Sequence, residues 1–466
     1  MARPHPENRD SYRELTGFAG FLGERVAALS WKDLPPEAVD WAKVGVLDMV
    51  GVTLAGSREE APRLLASALD LGTGPSLLFG ASRRVGVLDA ALINGTASHA
   101  LDFDDCSNTM GGHPSVPVLS ALFALADELG ASGREFVVAY IAGFETETKL
   151  ALAVNFHHYT KGWHPTATLG TFGAAAAAAR LMALSGEKTA VALALAASFA
   201  SGIKANFGTM AKPLHVGHSA RNGVLAARLA GAGFTANAQA VFEHEQGFLE
   251  VFNGPGTYDV QRAMRAWAAP FDIVQPGIGI KQYPCCGSTH PAIDALLEIT
   301  TRRRIEPTEV ERIDAWIHAR RLKHTNRPRP ASALDAKFSV QYVLARALLD
   351  QAVGLGHFEN ESWRDARVAA LLPRIHAAPY EDARFPGNHF AGEVRITLRD
   401  GSVETARVEQ ALGRTSDNPV PPDRLRRKFE LCAQGVLREE TIGPVADAVA
   451  GVDTLPDMRE LTRLLS

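Results

Sequence analysis

The stretch Thr168–Leu184 carries six consecutive alanines, Ala174 to Ala179, the strongest helix-forming run in the chain. A helix with small residues all round offers no polar face to water and belongs in an interior. Such a helix must pack against other helices at short range, so this run predicts a multi-helix body. The flanking sequence agrees. Between Pro36 and Leu54, Val39, Trp41, Ala42, Val46, Leu47 and Val50 fall at helical spacing, with Pro36 where a first turn tolerates it. Leu119–Leu129 and Glu135–Val154 repeat the pattern. Thr189–Ile203 is apolar but shorter than the roughly 20 residues a bilayer span requires, so it reads as a buried helix with no membrane partner. The polar start, Met1 to Glu7, lacks the apolar core of a secretory leader, and the expected location is cytoplasmic.

Near Pro270 the texture changes. Ile313, Ala315 and Ile317 alternate within Glu311–His318, and Val394, Ile396 and Leu398 alternate again. Asp400-Gly401 is a hairpin signal, with Val403–Val408 as the returning strand. Helical segments, Pro291–Thr301 and Phe338–Leu349, lie between. Beyond the polar, turn-rich Arg414–Pro419, helical spacing resumes over Pro422–Leu437 and Pro456–Leu464. The expected fold is mainly α: a large helical domain built from residues 1–269 and 409–466, with a smaller α+β domain, 270–408, inserted. The 48 Lys and Arg nearly balance 52 Asp and Glu, a net −4, which argues against nucleic acid or an anionic membrane as the main partner. Four cysteines in 466 residues exclude a disulfide scaffold and fit a reducing compartment.

Several constellations carry chemistry. In His99-Ala-Leu-Asp102-Phe-Asp104-Asp105-Cys106, three carboxylates in four residues repel one another unless cations or hydrogen-bond donors offset them. A Mg²⁺ site is disfavoured, because no second dense acidic cluster completes an oxygen shell. His113 and His164 each precede a proline and an apolar-periodic stretch, so each is expected at a helix start, beside free N–H groups that favour a neutral imidazole and attract a carboxylate. Neutral imidazole is the form that accepts a proton. From Ser201 to Arg221 the bases Lys204, Lys212, His215, His218 and Arg221 occur with no acid between them, the pattern of an anion site. Pro213 is expected to hold Lys212 extended.

In Lys281-Gln-Tyr283-Pro284-Cys285-Cys286 the adjacent thiols lack metal-knuckle spacing. With Cys106 they leave open an iron–sulfur cluster, a proton-carrying thiol or simply buried small side chains. The basic run Arg320-Arg321-Leu-Lys323-His324 reads as a solvated loop or a guide for an acidic substrate. No dinucleotide or phosphate-loop motif is present. The inventory suits proton abstraction beside a carboxylate of a small polyacid, with Lys and Arg holding the carboxylates. Loss of β-hydroxide, loss of CO₂ and reprotonation from the other face then lead to a dehydratase, a decarboxylase or an epimerase. A carboxylate-binding protein without turnover remains an alternative.

The chain also resembles the MmgE/PrpD family, which includes 2-methylcitrate dehydratase, cis-aconitate decarboxylase and iminodisuccinate epimerase. Six motifs carry the resemblance in order: His99-Ala-Leu-Asp102-Phe-Asp104-Asp105, His113-Pro-Ser115, Gly162-Trp-His164-Pro-Thr166, Lys212-Pro-Leu-His215, Lys281-Gln-Tyr-Pro284 and Lys337-Phe-Ser339-Val-Gln-Tyr342. It implies an all-helical domain from both chain ends with an inserted α+β lid, a homodimer, and no metal or organic cofactor. It implies a cleft lined by Asp102, His113, His164, Lys212, Lys281 and Tyr342. Asp102, His113, His164 and Lys212 are the expected catalytic groups; Cys106, Lys204, Lys281, Cys286 and Tyr342 are the expected substrate contacts. Cys106 stands where the decarboxylase has Thr and Cys286 where it has His. In these details the chain looks closer to the epimerase branch, while a lyase is the family-level expectation.

Overall fold

The computed structural model describes residues 17–380 and 384–466; the polar N-terminal stretch discussed above lies outside them. The molecule is mainly α-helical with a small sheet. The body is built from α1 (Gly17–Ala28), α2 (Pro36–Gly56), α3 (Val87–Ala100), α4 (Ser115–Leu129), α5 (Gly133–Val154), α6 (Gly170–Leu181), α7 (Gly186–Phe199) and α8 (Ala211–Gly231). Local chemistry sets several ends. Ser132 and Glu135 close a capping box on α5, Glu135 Oε2 accepting from Ser132 N at 2.9 Å. Gly130, at φ +63°, ends α4 in the left-handed conformation that glycine tolerates.

Small residues let these helices nearly touch. A Cβ on Gly217 of α8 would lie 2.1 Å from the Leu92 carbonyl of α3, and one on Gly95 would lie 2.8 Å from Gly217 Cα. This crossing brings the end of α3, with His99 and Asp102, beside the start of α8, with Lys212 and His215. Because the obstacle is backbone, neither helix yields cheaply. Gly217→Ala is therefore expected to destabilise the fold by about 1–3 kcal/mol through overpacking, read as a lowered midpoint in chemical denaturation.

A short antiparallel pair, β1 (Ser76–Leu77) with β2 (Arg84–Val85), interrupts the otherwise helical first half. The second sheet has the order β4-β3-β5-β6, from β3 (Val310–Ile317), β4 (Ile375–Pro379), β5 (Gly392–Leu398) and β6 (Val403–Val408). The Asp400-Gly401 hairpin joins β5 and β6, pairing Gly392 with Val408 and Thr397 with Val403. β4 runs parallel to β3; its sequence, Ile-His-Ala-Ala-Pro, lacks the alternation that marks the other strands. Val394, Ile396 and Leu398 turn inward under α9 (His290–Arg302), which packs against α11 (Val340–Asp350), while α10 (Ala319–Thr325) follows β3.

Buried apolar residues fall into two large clusters. One runs from Phe18 to Ile280 and resumes from Leu425 to Leu465, through α12 (Pro422–Ala433) and α13 (Glu439–Ala450); the other spans Cys285 to Ala406. Among the described residues no helix is long and apolar enough to cross a membrane.

Three local expectations change. α4 starts at Ser115 with Pro114 in the cap position, so His113 stands one residue outside the helix. His164 is the cap residue, but of a four-residue helix, Pro165–Thr168, that leads into α6. Neither imidazole caps a backbone N–H. Lys212 is helical rather than extended: Pro213 falls in the first turn of α8, where its missing N–H has no partner to lose.

Candidate active site

A half-open cavity lies between the two cores. Asp102, Cys106, His113, His164, Phe207 and Lys212 line it from the helical body. Cys286, Ser288, Arg320, Arg321, His324, Phe338 and Phe390 line it from the sheet side, with Lys281 and Arg414 where the chain passes between the two.

The turn after α3 separates its three acids by giving each a different partner. Asp102, at φ +53°, directs its carboxylate between Lys212, which it contacts closely through Oδ1, and Lys281, 3.1 Å from Oδ2. Burial alone would raise its pKa, but the two ammonium groups outweigh this and hold it well below the usual range. Conversely, burial would lower Lys281, and Asp102 followed by Asp104 raises it instead. Asp104 Oδ2 lies 2.7 Å from His99 Nδ1 and 3.1 Å from His113 Nδ1; these imidazoles overcome its burial and keep it ionised. Asp105 accepts from the Ser115 hydroxyl, and burial raises its carboxyl well above the ordinary value. The acid-free run around Lys212 thus finds its counter-charge on the turn after α3, not in its own neighbourhood.

Four imidazoles cluster beside this turn. His99 lies 4.6 Å from the ring of His113 and 5.7 Å from that of His164, and His164 Nδ1 sits 3.2 Å from His215 Nδ1. Burial pushes His99 down to about 3, and burial, followed by the neighbouring His99, carries His164 well below 6.5. Both are neutral at physiological pH. His99, Asp104 and His113 also form a compact group whose donor atoms lie within 4.8 Å of one another, the residues that could hold a metal ion. The thiols do not converge in that way. Cys285 lies in the sheet-side core near Thr289, while Cys106 and Cys286 face the cavity.

His158 anchors the segment that carries Phe156, Tyr159 and His164 to the cavity. Its Nε2 lies 2.7 Å from Thr168 Oγ1 and its Nδ1 3.2 Å from Asn253 Oδ1. Burial lowers its pKa from 6.5 to about 4. A depressed histidine stabilises the fold above its unfolded pKa, and that contribution disappears as pH falls. The stability advantage of wild type over His158→Gln is expected to shrink by about 3 kcal/mol between pH 7 and pH 4, measured by denaturant unfolding at each pH.

The opposite wall is cationic and aromatic. Phe390 has the Arg321 guanidinium 3.9 Å and the Arg414 guanidinium 4.3 Å from its ring centre. Arg321 donates to the His389 carbonyl at 2.6 Å and to Ser288 Oγ at 3.2 Å; Arg414 donates to Cys106 Sγ at 3.0 Å. Among the described residues none of Arg320, Arg321 and Arg414 is paired with a carboxylate. Burial would raise the Cys286 thiol, but His324 outweighs it, with a smaller contribution from Lys281, and brings it to about 6.

Of the nine residues singled out in the sequence, seven line this cavity: Asp102, Cys106, His113, His164, Lys212, Lys281 and Cys286. Tyr342 does not. It is fully buried in the sheet-side core, donating its hydroxyl to the His357 carbonyl and accepting from Arg346 Nε at 3.1 Å. Lys204 stands behind the lining, its Nζ 3.4 Å from the ring centre of Tyr159. Sequence reasoning missed Arg414, hidden in what reads as a solvated linker, and Phe390, which carries no local signal. Arg321 was visible only as part of a basic run.

Comparison with known proteins agrees along most of the chain. The MmgE/PrpD N-terminal domain model matches residues 21–261 and the MmgE/PrpD C-terminal domain model residues 283–449. Human cis-aconitate decarboxylase is 32% identical over 386 residues, covering 81% of this chain and 79% of that protein. The mouse enzyme is 31% identical over 388 residues, 81% and 78% of the two chains. Cis-aconitate decarboxylase of Aspergillus terreus is 27% identical over 462 residues, 94% of each.

Proposed function

The chain belongs to the MmgE/PrpD family, and from that premise we propose that it is a lyase-type enzyme that binds a small di- or tricarboxylate in this cavity and moves a proton at the carbon beside a carboxylate. One observation carries the reading. Among the described residues, five cationic side chains line the cavity (Lys212, Lys281, Arg320, Arg321 and Arg414) against a single carboxylate, Asp102. Such an excess in a half-open, partly aromatic cleft calls for a small polyanion.

In this mechanism Arg321 and Arg414 hold the carboxylate farthest from the reacting carbon, in the fork geometry guanidinium favours. Lys281, fixed by Asp102, faces the carboxylate next to that carbon, where negative charge grows as the carbanion forms and spreads onto oxygen. His164, neutral through burial, accepts or returns the carbon-bound proton together with His113 and Lys212. Asp102 keeps Lys212 aimed and balances its charge. Expulsion of a β-hydroxide completes a dehydration. Loss of CO₂ leaves the electron pair on carbon, and a proton from the same groups fills it, the outcome named for the decarboxylase relatives. A second reading, epimerisation of a dicarboxylate, is favoured by Cys286, a lowered thiol on the wall facing the imidazoles: one group takes the proton and another returns it from the opposite face.

The test is direct. A panel of di- and tricarboxylic acids is incubated with the protein in D₂O and followed by ¹H NMR. Deuterium at an α-carbon, with an alkene, CO₂ or an inverted centre, identifies the branch. Acids that bind but show neither exchange nor turnover would leave a carboxylate-binding protein and sink the enzyme reading.

A further inference from the structure

Three buried lysines from three distant stretches meet at the turn that carries Asp102. Lys337 Nζ donates to the Leu101 carbonyl at 2.7 Å, Lys281 Nζ to the Asp102 carbonyl at 2.8 Å and Lys428 Nζ to the Phe103 carbonyl at 2.8 Å. Each is at least nine-tenths buried. Consecutive carbonyls at a chain reversal point in different directions, so no single element can satisfy all three. Here each is met from a separate side: Lys337 from the sheet-side core, Lys281 from the passage between the cores, and Lys428 from α12. The turn also lies at the C-terminal end of α3, where the helix dipole is negative and cations are favoured.

The turn needs this support. Asp102 adopts φ +53°, a conformation that a non-glycine residue keeps only where its surroundings over-determine it. Lys281 and Lys428 each face a carboxylate as well, Asp102 at 3.1 Å and Asp48 at 2.6 Å. Lys337 differs. Among the described residues its one side-chain hydrogen bond goes to the Leu101 carbonyl, and burial lowers its pKa to about 8. Burying an ammonium group without a paired acid is costly, yet this one is spent on a backbone carbonyl one residue from Asp102.

We propose that Lys337 is a positioning residue: from the sheet side it holds the Leu101 carbonyl, and so sets the Asp102 carboxylate between Lys212 and Lys281. The acid–base geometry is then complete only when the sheet-side core is seated on the helical body. Lys337 touches no substrate and lies outside the cavity lining. This role rests on the proton-transfer reading of the cavity. Misplacing a reacting group by about 1 Å typically costs about 10²-fold in rate, and the loss should fall on kcat because the anion-binding arginines are undisturbed.

The experiment compares wild type, Lys337→Met and Lys337→Arg in the α-proton exchange assay, with the best acid of the panel, and solves the structure of the Met variant. Expected are a kcat about 10²-fold lower for Lys337→Met, a KM within about threefold of wild type, and recovery of most of the rate in Lys337→Arg, which keeps the charged donor. Wild-type kcat in a Met variant whose only change is a lower melting temperature would overturn the role. If Lys337→Met does not fold, Lys337→Gln takes its place, with the same split expected and the same result overturning it. If wild type itself exchanges no acid, the functional reading fails, and the variant's structure decides the positioning role alone. A displaced Asp102 carboxylate supports it, and an unmoved one overturns it.

Discussion

Lys212→Met is expected to slow α-proton exchange by about 10³-fold, the middle of the range lost when a positioned acid–base group is removed. Lys212 is 5% exposed, lines the cavity and rests on Asp102, so the substitution removes a titratable group from the cavity wall where the proposed mechanism puts the proton transfer. The fold should tolerate the change, because Asp102 keeps Lys281 as its counter-ion at 3.1 Å. Lys212→Arg separates two contributions: it restores the charge but places a group that does not release a proton. Recovery of substrate binding without recovery of rate would assign Lys212 to proton transfer. Recovery of both would make it an anchor. The measurement is ¹H NMR exchange with kcat and KM determined separately; a Met variant within about threefold of wild type in rate would remove Lys212 from the chemistry.

Arg414→Met is expected to raise KM by about 10- to 100-fold with kcat nearly constant, the loss of one charge-assisted hydrogen bond of about 1.5–3 kcal/mol. Arg414 and Arg321 both pack on the Phe390 ring and line the cavity without a carboxylate partner among the described residues. A substrate carboxylate fills that role only if it is distant from the reacting centre, so its loss weakens ground state and transition state alike. Arg321→Met should act in the same direction. The double variant should discriminate poorly between a polycarboxylate and its analogue lacking the distal acid. The measurement is steady-state kinetics on such a substrate pair; an unchanged KM in both single variants would place the distal carboxylate elsewhere.

Much of the fold was legible because its cause is local. Apolar spacing marks α2 and α5, the alanine run marks α6, and Asp400-Gly401 marks the β5–β6 hairpin; each depends on residues within a turn or two. β4 was not legible, since a strand lacking alternation forms only because β3 offers it a parallel edge. In the site, the motif residues Asp102, His113, His164 and Lys212 stood out by type and company. Tyr342 did too, and burial in a different core shows why a motif residue need not reach a cavity.

What the amino-acid order determined by itself was helical identity and the placement of chemically capable side chains at element ends. What only tertiary structure decided was which charge meets which. Lys212 reads as unpaired because its partner Asp102 lies 110 residues away; Arg414 reads as solvated because the guanidinium that enters the cavity leaves from a polar linker. Local periodicity reports how a segment turns its own faces, whereas ion pairing in a buried space depends on distances between segments. The distance between Asp102 and Lys212 is set here by glycine contacts such as Gly95 with Gly217, which let α3 and α8 cross closely enough for the turn after α3 to meet the start of α8.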